Sequence, residues 1–154
     1  MSVLRSVAVV AGGVLLLLFM DATLERVLVS AVGQGPPADA AAYLAVRNRP
    51  GVLVATVITH ALASALAGYV IGKAAGVHEV KHALAAATFM AAAYASTFFS
   101  GNPMLPPAWV RLAMLVVTPL ALAGGAHVFA EASAVRAERA AAGIRPESER
   151  RGPP

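Results

Sequence analysis

The stretch GVLVATVITHALASALAGYVIG, residues 51–72, contains no Lys, Arg, Asp or Glu. A helix needs about 20 mostly apolar residues to cross the roughly 30 Å hydrocarbon core of a bilayer, and inside that core every backbone amide must be satisfied within its own segment. A run of this kind predicts a membrane-spanning helix. Three more runs behave similarly. Ser6 to Met20 is uncharged, and DATLERVLVSAVG behind it keeps helical spacing, with Leu24, Val27, Leu28 and Ala31 on one face. We therefore read one helix over about 3–32, roughly 45 Å long at 1.5 Å per residue, whose last third tilts or rises into the interface. Further spans are predicted at about 80–100 and 108–130. Pro119 lies inside the last one, where it is expected to kink the helix, and Trp109 near its start is placed as an interfacial anchor.

Composition agrees with a chain whose solvent is partly lipid. Of 154 residues, 58% are hydrophobic and 13% charged, against about 45–50% and about 25% in a typical soluble domain. The length suits one bundle. The absence of cysteine excludes disulfides, thiol catalysis and Cys-based metal or iron–sulfur sites. Abundant Ala, Gly, Arg and Pro with little Lys points to a bacterial source. The first apolar run is expected to stay uncleaved, because Met20-Asp21-Ala22 lacks the small-x-small pattern of a signal-peptide site.

The connecting segments carry the breakers. GQGPPADA is a loop, AAYLAVRNRP a short interfacial turn or helix, KAAGVHEVKH a connector, and SGNPMLPP a turn-rich loop. With the N-terminus inside, one side holds Arg5, Lys73, Lys81 and the tail residues Arg136, Arg139, Arg145, Arg150 and Arg151; the other holds Arg26, Arg47, Arg49 and Arg111. The positive-inside rule then puts both termini in the cytoplasm, with the tail charges deciding it. The fold class is an all-α, four-helix transmembrane bundle over residues 1–135, followed by a basic, largely disordered tail over 136–154. The expected location is the bacterial cytoplasmic membrane, multi-pass. The basic tail comes with no nucleic-acid motif, so its expected partner is the lipid bilayer.

Lipid gives helices no hydrophobic reason to meet, so close packing of small residues must do it. Ser64, Gly68 and Gly72 recur every four residues, and Gly124 and Gly125 lie in the last span. These are the predicted packing positions, either within one bundle or across a homo-oligomer interface.

Few residues offer chemistry. His60 sits mid-span, with Thr56 one turn before and Ser64 one turn after; an ionisable group in the membrane is a functional candidate by default. A structural hydrogen bond to a neighbouring helix fits equally. A haem shared with His127 is disfavoured by an axial offset of about 10 Å. HEVKH, residues 78–82, matches the letters of a zinc-protease motif. His78, His82, His127 and Glu131 are thus metal candidates, against the plainer reading of a solvated charge cluster. Asp21 and Glu25 are read as outer-interface carboxylates paired with Arg26, Arg47, Arg49 or Arg111. No nucleotide loop, Ser/His/Asp set or phosphate cradle is present, and no cofactor is called for.

THALASALAGYVIGKAAG, HALAAATFMAAA and PPAWVRLAMLVVTPLALAGGAHV resemble a group of small bacterial four-helix integral membrane proteins over roughly residues 50–130. The resemblance implies topology alone, with no site residue carried over. The leading expectation is a non-enzymatic accessory, assembly or homo-oligomeric bundle protein. The alternatives are a transporter or proton-conducting element using His60, and a membrane metalloenzyme at HEVKH.

Overall fold

The computed structural model describes residues 2–142. It is all helical among those residues: α1 Val3–Val32, α2 Ala40–Arg47, α3 Pro50–Ala75, α4 Glu79–Thr97 and α5 Ala108–Ala141. Of these, α1, α3 and α5 are long and apolar enough to cross a membrane. α4 has 19 residues, about 28 Å, and dilutes its alanines with Glu79, Lys81 and His82.

Local chemistry sets the ends. Ser2 caps α1 by accepting from the Arg5 amide, and Asp39 caps α2 by accepting from the Ala42 amide, each satisfying a donor with no partner inside its helix. Pro50 opens α3 at a position where its missing N–H costs nothing. Gly76 closes the same helix in the left-handed region, at φ 67°, where a side chain would be strained. α4 stops at Thr97, earlier than the expected residue 100, and Phe98 to Ser100 turn toward the Pro-rich loop. α5 runs unbroken past Pro119 and beyond the expected end at 130. Its last turns are Ala, Glu and Arg, all strong helix formers, so Arg136 and Arg139 are helical. The rest of the expected tail, with Arg145, Arg150 and Arg151, lies outside the described residues.

The four long helices run alternately up and down. At one end, the Arg5 guanidinium donates to the Ala74 carbonyl (3.3 Å) and His82 meets Ser6 (3.2 Å). At the other, Arg47 donates to the Met104 carbonyl and Arg111 to the Thr97 carbonyl, both at 2.6 Å. The N-terminus and the C-terminal half of α5 therefore share an end. The helices meet through small side chains. A Cβ on Gly68 would stand 2.0 Å from the Leu122 carbonyl oxygen, and one on Gly125 would stand 1.9 Å from that of Ala65. Gly72 lies against Ala126 and Phe129. Gly68 and Gly72 thus pack against α5 of the same chain, and Ser64 on the same face is fully buried. Gly124 does not pack within the bundle: it faces outward with nothing within 4 Å of a Cβ, and its neighbour Gly125 makes the contact with α3.

The outer surface is apolar on every long helix. Phe19, Leu62, Phe89 and Leu120 are 69%, 66%, 60% and 69% exposed. In water this would be an aggregation surface, whereas hydrocarbon suits it.

Candidate functional site

The four long helices converge on His60, which is 1% exposed. Its Nδ1 lies 2.7 Å from Asp21 Oδ2 on α1, and its Nε2 lies 2.6 Å from Thr118 Oγ1 on α5. Ser64 Oγ is at 3.5 Å from the same Nε2. Tyr94 of α4 meets the ring edge-on, at 5.7 Å between centroids. Each contact follows from helix geometry. Asp21 stands eleven residues before the end of α1 and His60 ten after the start of α3, so an antiparallel pair brings them to one level. Ser64 is one turn along α3 from His60. Thr118 precedes Pro119, and its hydroxyl lies 2.5 Å from the Met114 carbonyl.

Two proton arrangements fit these distances. With Nδ1–H directed to Asp21, either the Thr118 hydroxyl donates to Nε2, or Nε2–H donates to Thr118 Oγ1 while that hydroxyl donates to the Met114 carbonyl.

A cavity of about 280 Å³ adjoins this hub. Asp21, Glu25, Thr56, Thr59, His60 and Tyr94 give it polar walls, and Leu18, Met114 and Pro106 close it. Pro106 and Glu25 place the chamber toward the end opposite the termini. Thr56, expected beside His60, lines the chamber but donates to the Val52 carbonyl (2.9 Å). Glu25 accepts a hydrogen bond from Tyr43 of α2. Burial, followed by that bond, pushes the Tyr43 hydroxyl up to about 12. Toward the terminal end the interior turns apolar. Beyond Ser64 it is built from Leu17, Ala67, Ile71, Ala83, Ala87, Leu122 and Ala126.

The expected arginine partners of the carboxylates are not used. Among the described residues no arginine forms an ion pair with Asp21 or Glu25. Arg47 is buried and turned to Met104 and Asn48, and Arg111 stacks 4.7 Å over the Phe98 ring. Asp21 reaches inward instead, because its level on α1 matches that of a buried imidazole.

The metal candidates are not assembled. α4 begins at Glu79, so His78 is the residue before the helix, in the left-handed region at φ 54°, and does not share a helical face with His82. The His82 ring turns to the His78 carbonyl and to Ser6. His127 is 65% exposed and pairs with Glu131 at 3.2 Å. Among the described residues no three His, Asp or Glu side chains form a metal-holding group.

Asp21, His60 and Thr118 stand in the hydrogen-bond order of an acyl-transfer triad, carboxylate to imidazole to hydroxyl. The surroundings do not suit that chemistry. Thr118 has no exposed surface, does not line the chamber, and sits within a helix whose amides are already bonded, so no oxyanion donors face it. No family model matches the chain, and no curated protein or solved structure matches it either. The reading of the site therefore rests on its own geometry.

Proposed function

We propose that the protein is a non-enzymatic, four-pass protein of a bacterial cytoplasmic membrane, an accessory or assembly bundle held together by a one-sided polar hub. α4 is read as the fourth crossing: its first turn meets the start of α1 through His82 and Ser6, its last turn meets the start of α5 through Thr97 and Arg111, and Phe89 is exposed as are the large apolar groups of the other helices. The positive-inside balance of the sequence favours both termini in the cytoplasm. The observation that carries the function is the closely packed apolar interior between Ser64 and the terminal end. A conducting path needs polar groups or water along its whole length, and here the polar groups of the hub stop one turn past His60, at Ser64.

The chamber favours a second reading, a carrier element that binds a proton or small polar solute from the outer side. Proton flux into liposomes separates the two. The bundle reading expects wild-type and His60→Ala proteoliposomes to leak protons at the same rate as empty vesicles. A flux in the wild type that His60→Ala removes would establish the carrier in its place.

A further inference from the structure

A second cavity, of about 720 Å³, lies elsewhere, on the lipid-facing side between α1 and α4. Its walls are almost wholly apolar, with Val14 and Ala85 along them and Leu18 and Phe89 at the far end. The near end is polar, formed by Ser6, Lys81 and His82. Ser6 and Leu18 are twelve residues apart on α1, about 18 Å, close to the roughly 15 Å of hydrocarbon in one leaflet. The groove thus begins at headgroup depth and ends near the bilayer midplane. We propose that it seats one acyl chain of an anionic phospholipid from the leaflet on the terminal side, with the phosphate on the Lys81 ammonium.

Two features choose this occupant. One is charge: Lys81 is exposed at the mouth, the His82 ring beside it is tied to Ser6, and Glu79 does not line the groove. The cytoplasmic leaflet is the anionic one, and a basic side chain at its surface attracts those headgroups. The other is length. A second helix would cross both leaflets, whereas the groove fits the depth of one. The inference rests on the four-pass reading, because it needs α1 and α4 to face lipid together.

The test is native mass spectrometry of the full chain released from nanodiscs containing equal phosphatidylglycerol and phosphatidylcholine. The wild type should retain one phosphatidylglycerol with about fivefold preference, the size expected from one lysine at a charged surface. Lys81→Gln should bring that preference to near unity. Ala85→Phe, which fills the groove from an exposed position, should abolish retention of both lipids. Equal retention of the two lipids by the wild type would mean ordinary surrounding lipid and overturn the proposal. So would a preference that survives Lys81→Gln, or a dimer that forms in place of lipid and is lost in Ala85→Phe. Side-selective labelling of a single introduced cysteine, Ser2→Cys, in sealed vesicles reads the topology separately, since the chain has no cysteine of its own; labelling from the expected side without retained phosphatidylglycerol overturns the lipid site alone.

Discussion

Replacing Gly68 by alanine tests how the bundle is held. The added Cβ would meet the Leu122 carbonyl oxygen at 2.0 Å, its carbon at 2.8 Å and its Cα at 2.9 Å. All three atoms are backbone, so no side chain can swing aside, and α5 must move outward by about 1.5 Å to reach ordinary van der Waals contact. Overpacking of this kind costs about 1–3 kcal/mol. Thr118 lies one turn before Leu122, so the same movement stretches its 2.6 Å contact with His60, a loss of about 1 kcal/mol. The helix itself gains about 0.5–1 kcal/mol when glycine becomes alanine. The net expectation is a loss of about 2 kcal/mol. Gly124→Ala is the control: nothing stands within 4 Å, and only the helix gain remains. Reversible unfolding in mixed micelles, followed by circular dichroism across increasing dodecyl sulfate, measures both. Gly125→Ala meets Ala65 from the other side of the same contact. The Gly68→Ala, Gly125→Ala double variant should therefore cost less than the two singles together, because α5 needs to move out only once. Gly68→Ala unfolding within about 0.5 kcal/mol of Gly124→Ala would refute the reasoning.

Two further outcomes follow from the hub and its rim. His60→Ala leaves Asp21 and Thr118 without their partner and opens a void. Breaking a buried pair costs about 3–5 kcal/mol, and Asp21, 23% exposed, places this one near 3, read by the same unfolding assay; a loss below about 1 kcal/mol would mean the pair is not holding the helices. Tyr43 gives a pH dependence. Its folded pKa of about 12 lies above the ordinary value of 10.0, so the folded chain holds this proton more tightly than the unfolded one. That contribution is whole below pH 10 and lost as pH rises toward 12. Tyr43→Phe should flatten the alkaline arm of the stability profile, and an unchanged arm would show that Tyr43 is not its source.

The helices were legible because each reports itself locally, through an uncharged run, a cap or a breaker. His60 with Ser64 was legible for the same reason, being one turn apart on one helix. Its partners were harder to find. Asp21, Thr118 and Tyr94 come from three other helices, and only the levels of α1 and α3 relative to their shared loop offered a signal, since Asp21 and His60 stand nearly equal distances from it. Asp21 beside Arg26 suggested an interfacial pair, but a carboxylate that can reach a buried imidazole gains more there than at a screened surface. HEVKH matches a motif by letters alone, because His78 precedes the helix on which His82 stands. Gly124 and Gly125 were indistinguishable in sequence, and a rotation of about 100° between adjacent helical residues turns one to lipid and the other to α3. The rim arginines could not be placed, because Arg47 and Arg111 bind carbonyls in a loop and at a helix end that no periodicity specifies.

The central claim is that the polar interior opens to one side and ends at the His60 hub. A chain without cysteine can report this directly through two conservative variants, Thr59→Cys in the chamber wall and Ser64→Cys one turn beyond His60. A small charged methanethiosulfonate is applied to right-side-out or inverted vesicles, and modification is read by mass. Thr59→Cys should react from the side opposite the termini, and Ser64→Cys from neither. Reaction of Ser64→Cys from the terminal side would mean that water reaches the hub from both faces, and would contradict the account.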